Sequence, residues 1–338
     1  MVQVKFLSKL KENTSVGLDI GTSSAKFLKL KNSNGSMELC ACKRVPLGAD
    51  TEEPLKKLIQ EQEVRKANIS VCGPAAIIRY AQFPRMNEDE FKQALRFEAQ
   101  KHLPFSISEI NLDGAILTDL PDNKMLVLLA AVKKDFLSAR LKLMDKLGIS
   151  VGAVEIDSTA LINAFNFNQR QDEALKGKTV ALLDIGAAYT NLNILEAGAP
   201  RLSRDIQLGG NNFTQKLSEL LGINLKTAEE LKINPPQDKT EVVARGVDAV
   251  LAGLAGEIRV SFDYYESQSS FSVGKIFLSG AASLMPGLKE SLGGLLGIQV
   301  ETWDPFAKVN IPQELASSDE FKNSAAAYAV AFGLALHF

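Results

Sequence analysis

Short apolar runs rich in Val, Ile and Leu recur along the chain at 16–20, 25–30, 40–45, 69–72, 126–133, 179–185, 192–195 and 276–279. Each reads as a buried strand. The helices between them are marked by their caps. Asn87 with Glu90 three residues on predicts an N-terminus, followed by Phe91, Leu95 and Ala99 at helical spacing. Asp135 opens a second helix, with Phe136, Leu143 and Leu147 on one side and Gly148 as its stop. A longer helix runs from Thr240 through Val243, Val247, Val250, Leu254, Ile258 and Phe262 to about Tyr265, after the turn at Pro235 and Pro236. Strands alternating with helices predict an α/β protein.

One pattern repeats. Leu18-Asp19-Ile20-Gly21 returns as Leu183-Asp184-Ile185-Gly186, and each copy ends an apolar strand, crosses small or hydroxyl residues and resumes as a strand. Two hairpins of one design predict two related domains facing each other. Asp-Ile-Gly is also a common way simply to turn a hairpin. It is the pair of copies that points to a ligand. Glycine lets backbone N–H groups approach phosphate oxygens, and Thr22, Ser23 and Ser24 add donors. Lys26 either reaches back as a point charge or projects from its strand into solvent. Asp19 and Asp184 would repel phosphate unless Mg²⁺ or its water shell lay between. A third feature, the strand Lys275-Ile276-Phe277-Leu278-Ser279 running into Gly280-Ala281-Ala282, offers a bare turn over which a flat base could lie.

Composition narrows the classes. With 338 residues, 46% hydrophobic and 38 basic against 40 acidic side chains, the chain has room for about two cores and no basic surplus for nucleic acid. One long apolar run, 125–132, lies between Lys124 and Lys133. That is far short of the ~20 residues of a membrane-spanning helix. The start of the chain has no secretory signal; Phe6, Leu7 and Leu10 among lysines are at most weakly amphipathic. Cys40, Cys42 and Cys72 fit no zinc or disulfide spacing and read as free thiols in a reducing cytoplasm. The two histidines, His102 and His337, exclude a His-based triad or a multi-His metal centre.

VGLDIGTSSAKFLKL, ALLDIGAAYTNLNIL and IFLSGAASLMPGL resemble the first phosphate, second phosphate and adenosine motifs of the actin-like ATPase superfamily. AVEIDSTALINAF, LGGNNFTQKL, IRVSFDYYESQS and AAAYAVAFGLAL narrow the resemblance to the PilM family of type IV pilus assembly proteins, an FtsA-like branch, over about 16–336. The resemblance implies two α/β domains, each with a five-stranded sheet, around a nucleotide cleft, with an inserted subdomain of the FtsA and PilM type. The implied divisions are 14–72 with 151–178 (first large subdomain), 73–150 (insertion), 179–212 with 271–338 (second large subdomain) and 213–270 (second small subdomain). The closing helix, with Ala325, Ala329 and Gly333 four apart, would pack back on the first domain.

The resemblance also implies roles. ATP would be the ligand, with Mg²⁺ held through water by Asp19 and Asp184; Gly21, Thr22, Ser23, Lys26, Gly186 and Thr190 would surround the phosphates. Glu229 and Lys232 would contact ribose and adenine, and Gly280 and Ala281 the base. Thr227 and Glu230 also read as a capping box. Ala281 and Ala282 stand where relatives often carry glycine. Asp157, the candidate for orienting the attacking water, stands where FtsA-like relatives tend to place glutamate, so the chain is expected to be at most a slow ATPase. The expected partner is the N-terminal cytoplasmic tail of the inner-membrane protein PilN, in a groove between the first large domain and the insertion, bordered by elements between Ile69 and Asp119. Phe91, Leu95 and Phe97 read either as part of that surface or as the insertion's own core. Other inner-membrane platform proteins and self-association complete the expected contacts, with a cytoplasmic location at the inner membrane through a protein partner. An FtsA-like division filament is the alternative, although no amphipathic tail follows the last helix; a small-metabolite kinase lacks a sugar-binding motif.

Overall fold

The computed structural model describes residues 14–169, 173–318, 321 and 324–338. The apolar segment around Phe6, Leu7 and Leu10 lies outside them. The strands are β1 (Thr14–Ile20), β2 (Ser24–Ser33), β3 (Ser36–Pro46), β4 (Lys66–Val71), β5 (Ala76–Pro84), β6 (Ile110–Leu120), β7 (Lys124–Lys133), β8 (Ser150–Ile156), β9 (Thr179–Ile185), β10 (Thr190–Glu196), β11 (Ala199–Ile206), β12 (Lys275–Ser279) and β13 (Gln299–Thr302). The helices are α1 (Glu52–Glu61), α2 (Glu88–Ala99), α3 (Lys134–Lys146), α4 (Asp157–Gln169), α5 (Gly210–Leu221), α6 (Leu225–Ile233), α7 (Thr240–Gln268), α8 (Leu288–Leu296), α9 (Gln313–Ala316) and α10 (Ala329–Ala335).

Among the described residues there are two five-stranded sheets, ordered β3-β2-β1-β4-β8 and β11-β10-β9-β12-β13. Their topologies match position by position. In each, an antiparallel hairpin pair is followed by two strands added in parallel. The repeated Asp-Ile-Gly is thus the sequence trace of a repeated sheet, and it sits at the same place in both.

Between the two sheets lies a shared core. Leu28, Leu30 and Leu39 from the first sheet, Val180, Leu182 and Phe277 from the second, and Leu161, Phe165 and Phe332 from α4 and α10 pack together. The small residues of the last helix permit an unusually close fit. A Cβ at Gly333 would fall 1.9 Å from the Ala160 carbonyl oxygen, and one at Gly17 of β1 would fall 2.0 Å from that of Ala331. Only the later part of the expected closing helix is α-helical. Ala325–Tyr328 forms a 3-10 turn before α10 begins. Beyond α10, Asn68 donates to the carbonyls of Leu334 and His337, tying the last turn to β4.

The third sheet, β5-β7-β6, is inserted between β4 and β8. Helix α2 lies on it. The cap read from sequence is present: Asn87 accepts from the N–H groups of Asp89 and Glu90, while the Glu90 carboxylate accepts from Asn87 N at 2.9 Å. Phe91 and Leu95 are buried in the insertion's own core, pressed on β6 so closely that a Cβ at Gly114 would meet both side chains. Burying such side chains contributes roughly 1.5–3 kcal/mol each. Phe97 is instead 71% exposed, beneath the Lys101 ammonium. Two of the three residues considered for a partner surface are therefore core. Among the described residues, no helix is long and apolar enough to cross a membrane.

Candidate functional site

The β1–β2 turn ends a strand whose last aspartate is buried. Asp19 pairs in register with Lys26, and the Lys26 ammonium donates to Asp19 Oδ2 at 2.8 Å. Lys26 therefore does not project into solvent; its side chain is 14% exposed. Burial opposes its charge, but Asp19 above all, with Asp184 and Asp157, outweighs that and holds its pKa above the ordinary lysine value. Gly21 closes the turn, its N–H donating to Ser24 O at 3.1 Å, and a Cβ there would stand 3.2 Å from Lys26 Nζ. Thr22 and Ser23 are exposed at the tip.

The β9–β10 turn is built alike and braced differently. Gly186 N donates to Tyr189 O, while Gly186 O and Ala187 O accept from the N–H groups of Gly210 and Asn211 at the start of α5. Thr190 is fully buried and donates its hydroxyl to Leu208 O at 2.7 Å. That bond braces the loop from behind. Asp184 accepts from Ser279 Oγ at 2.8 Å. Burial pushes its carboxyl up to about 6, against the pull of Lys26 and Ser279.

Gly280 follows Ser279 at φ 85°, with a Cβ excluded by the Ile185 backbone at 2.5 Å. The third motif is thereby pressed onto the end of the second, and Ala281 opens the 3-10 turn beyond it. A Cβ at Gly210 would lie 3.3 Å from the Ala282 methyl and 3.4 Å from Lys232 Nζ, so α5, α6 and this turn converge. Lys232 is buried and donates to Gly210 O, Thr214 Oγ1 and Glu229 Oε2 at 3.1, 2.9 and 2.6 Å. Burial lowers its pKa despite Glu229. Its role in this arrangement is to clamp α6 to α5, leaving the half-exposed Glu229 carboxylate at the cleft. The Thr227–Glu230 capping box does not form; Asn224 caps α6 by accepting from Thr227 N at 2.9 Å.

Asp157 opens α4 beside Cys72, because β4 and β8 run parallel and end together at Val71 and Ile156. Burial and the nearby Asp19 push its carboxyl up to about 7, although Ser70 and Cys72 donate to it. The Cys72 thiol is held far above its ordinary range by Asp157 and by burial. Among the described residues, no three His, Cys, Asp or Glu side chains are placed to ligate a metal directly. Sequence reading passed over Ser70, Cys72, Asn191, Asp205 and Ser279. Ser279 and Asn191 carried a signal, as members of the adenosine and second phosphate motifs.

The family model described as type IV pilus assembly protein PilM matches residues 17–338. A chain of the solved PilM–PilN type IV pilus biogenesis complex superposes with a TM-score of 0.83 and 26% identity, covering 95% of this chain and 97% of that one. The cell division protein FtsA of Streptococcus pneumoniae serotype 2 (strain D39 / NCTC 7466) is 21% identical over 353 residues, covering 87% of this chain and 76% of FtsA. MreB5 of Spiroplasma citri, solved bound to ADP, shares the fold with a TM-score of 0.51 and 12% identity over 95% of this chain and 94% of that one.

Proposed function

This chain belongs to the PilM family of type IV pilus assembly proteins, and from that premise we propose that it is an ATP-binding assembly protein whose partner is the N-terminal cytoplasmic tail of PilN. The observation that carries the reading is the likeness, over 95% of the chain, to a component of a PilM–PilN complex. The tail would lie between the first large domain and the insertion, placing the protein at the inner membrane through PilN.

The cleft suits the ligand chemically. Asp19 and Asp184 end the first strands of the two hairpins, and Lys26 is a cation set among Asp19, Asp184 and Asp157. The surplus of buried carboxylate leaves room for a divalent cation, and Mg²⁺ bound there through water would neutralise phosphate charge. Thr22 and Ser23 supply exposed donors to the phosphates, and the half-exposed Glu229 carboxylate, which accepts from Lys232 and Thr214, would meet the ribose. Asp157 would orient a water. As a short carboxylate already committed to Ser70 and Cys72, it makes hydrolysis slow compared with the ~1–100 s⁻¹ of kinases.

Calorimetry on the full chain tests both halves. Mg²⁺ should strengthen ATP binding, Asp184→Ala and Asp19→Ala should weaken that dependence, and a synthetic PilN tail should bind native protein and Asp184→Ala alike. ATP affinity indifferent to Mg²⁺ and to both substitutions removes the clamp. A tail that fails to bind native protein removes the partner.

A further inference from the structure

The root of the insertion touches both domains. Residues 72 and 73 lead out of β4, and Gly73, at φ +80°, begins the climb into β5. Its N–H does not donate within the first domain. It donates to Asp205 Oδ2 of β11, in the second domain, at 3.1 Å. A Cβ on Gly73 would stand 3.6 Å from the ring of Tyr189, so this turn also rests on the second phosphate loop. Seven residues further, Tyr80 of β5 shares a 2.9 Å hydrogen bond with Ser203 Oγ, again on β11.

These two contacts are not separate. Ser203 donates to Asn193 Oδ1 at 2.5 Å, Asn193 donates to Asn191 Oδ1 at 2.6 Å, and Asn191 donates to Asp205 Oδ1 at 2.6 Å. Asn191 Nδ2 also reaches Ser158 Oγ, 2.7 Å away, on the residue after Asp157. Asn191 and Asn193 are buried, and both lie on the strand that leaves the Asp184 turn. One buried polar chain therefore joins the insertion's first strand, the second phosphate hairpin and the start of α4. A buried network of this kind is costly when half-satisfied, so its members tend to hold or release together.

We infer that the insertion is latched to the second domain through Gly73–Asp205 and Tyr80–Ser203, so that ligands of the nucleotide loops and of the insertion's groove are energetically coupled. A rotation of the second domain about the cleft either carries β5 with it or breaks both bonds. The coupling is reciprocal: whatever factor the tail imposes on ATP affinity, ATP imposes on the tail. The inference rests on the reading above for the identity of the two ligands, while the latch itself is a property of the chain alone.

The test uses the full chain in two arms. In the first, ATP with Mg²⁺ is titrated with and without a saturating synthetic PilN tail. Native protein should show a shift in ATP dissociation constant of about fivefold or more. Tyr80→Phe, which loses the one hydrogen bond across the domains, and Ser203→Ala, which loses that bond and the one to Asn193, should bring the ratio toward one while each ligand alone still binds. A ratio of one in native protein, or an unchanged ratio in both variants, overturns the inference without touching the proposed function. The second arm needs no ligand. Amide exchange across 73–84 should quicken roughly fivefold in Asp205→Ala, the loss of about one hydrogen bond's stabilisation, although the substitution lies in the other domain. Exchange that stays unmoved there overturns the latch even if the tail or ATP never binds.

Discussion

The β1–β2 and β9–β10 hairpins place their aspartates at the same register position, and the facing residue differs: Asp19 meets Lys26, whereas Asp184 meets Asn191. The backbone is repeated and the charge is not. A second lysine at 191 would set two ammonium groups in one small cleft, where each would lower the other's pKa. With a single lysine, one cation answers Asp19 directly and Asp184 and Asp157 at longer range. The neutral amide is left to organise the hairpin behind the loop and to connect it to Asp205 and Ser158. Twin folds can thus divide one task, with the charge on one side and the scaffolding on the other.

The sharpest way to break this comparison is Lys26→Met. The substitution leaves Asp19 buried without its counter-ion, so a loss of about 3–5 kcal/mol in denaturant unfolding is expected. Asn191→Ala, which strips only hydrogen bonds, should cost about 1–3 kcal/mol. If the two cost the same, the asymmetry is not electrostatic.

A smaller effect is expected from pH. Asp184 is held up to about 6 and Asp157 up to about 7 in the folded chain, against about 4 when unfolded. The folded state then binds more protons in that window. Stability of the ligand-free protein should accordingly fall as pH rises from about 4 through 7, by on the order of 2 kcal/mol for Asp184. Asp184→Asn should flatten that slope, and thermal unfolding at a series of pH values reads it. A steeper slope in the variant would mean that the raised carboxyl lies elsewhere.

The smallest expected effect separates the exposed tip from the buried loop. Thr22→Ala or Ser23→Ala should change stability by less than about 0.5 kcal/mol, yet weaken ATP roughly fivefold by calorimetry. Thr190→Ala should do the reverse, costing stability first because its hydroxyl is spent on Leu208. Equal behaviour of the three would merge the two hairpins again.

Much of this was legible because it is local. The Asn87–Glu90 cap, the stop at Gly148 and the two Asp-Ile-Gly turns are short-range signals, and the structure carries them as read. Strands β5, β6, β8, β11 and β13 escaped, the middle three because their side chains are half-buried and interrupted. Gly114, Gly152 and Pro200 break the apolar run, and β11 mixes Arg201, Ser203, Arg204 and Asp205 among its apolar residues. The site residues that escaped did so for another reason. Asp205 acquires its role from Gly73, which lies 132 positions away, and from Asn191 across a strand pair. Thr190 and Lys232, which the resemblance places at the ligand, also hold neighbouring backbone and side chains in ways that no spacing rule foretells.

The close seat of α10 against β1 has a consequence for biosynthesis. Ser15 and His337 meet across 322 positions, and Gly17 and Gly333 leave no clearance at either face of the helix. The strand bearing Asp19 therefore emerges from the ribosome early and waits for α10 before its core can close. During that interval Leu28, Leu30, Leu161 and Phe165 lack their last neighbours. Closure of this core is thus long-range, pairing early strands with the last described helix, the kind of contact that slows folding.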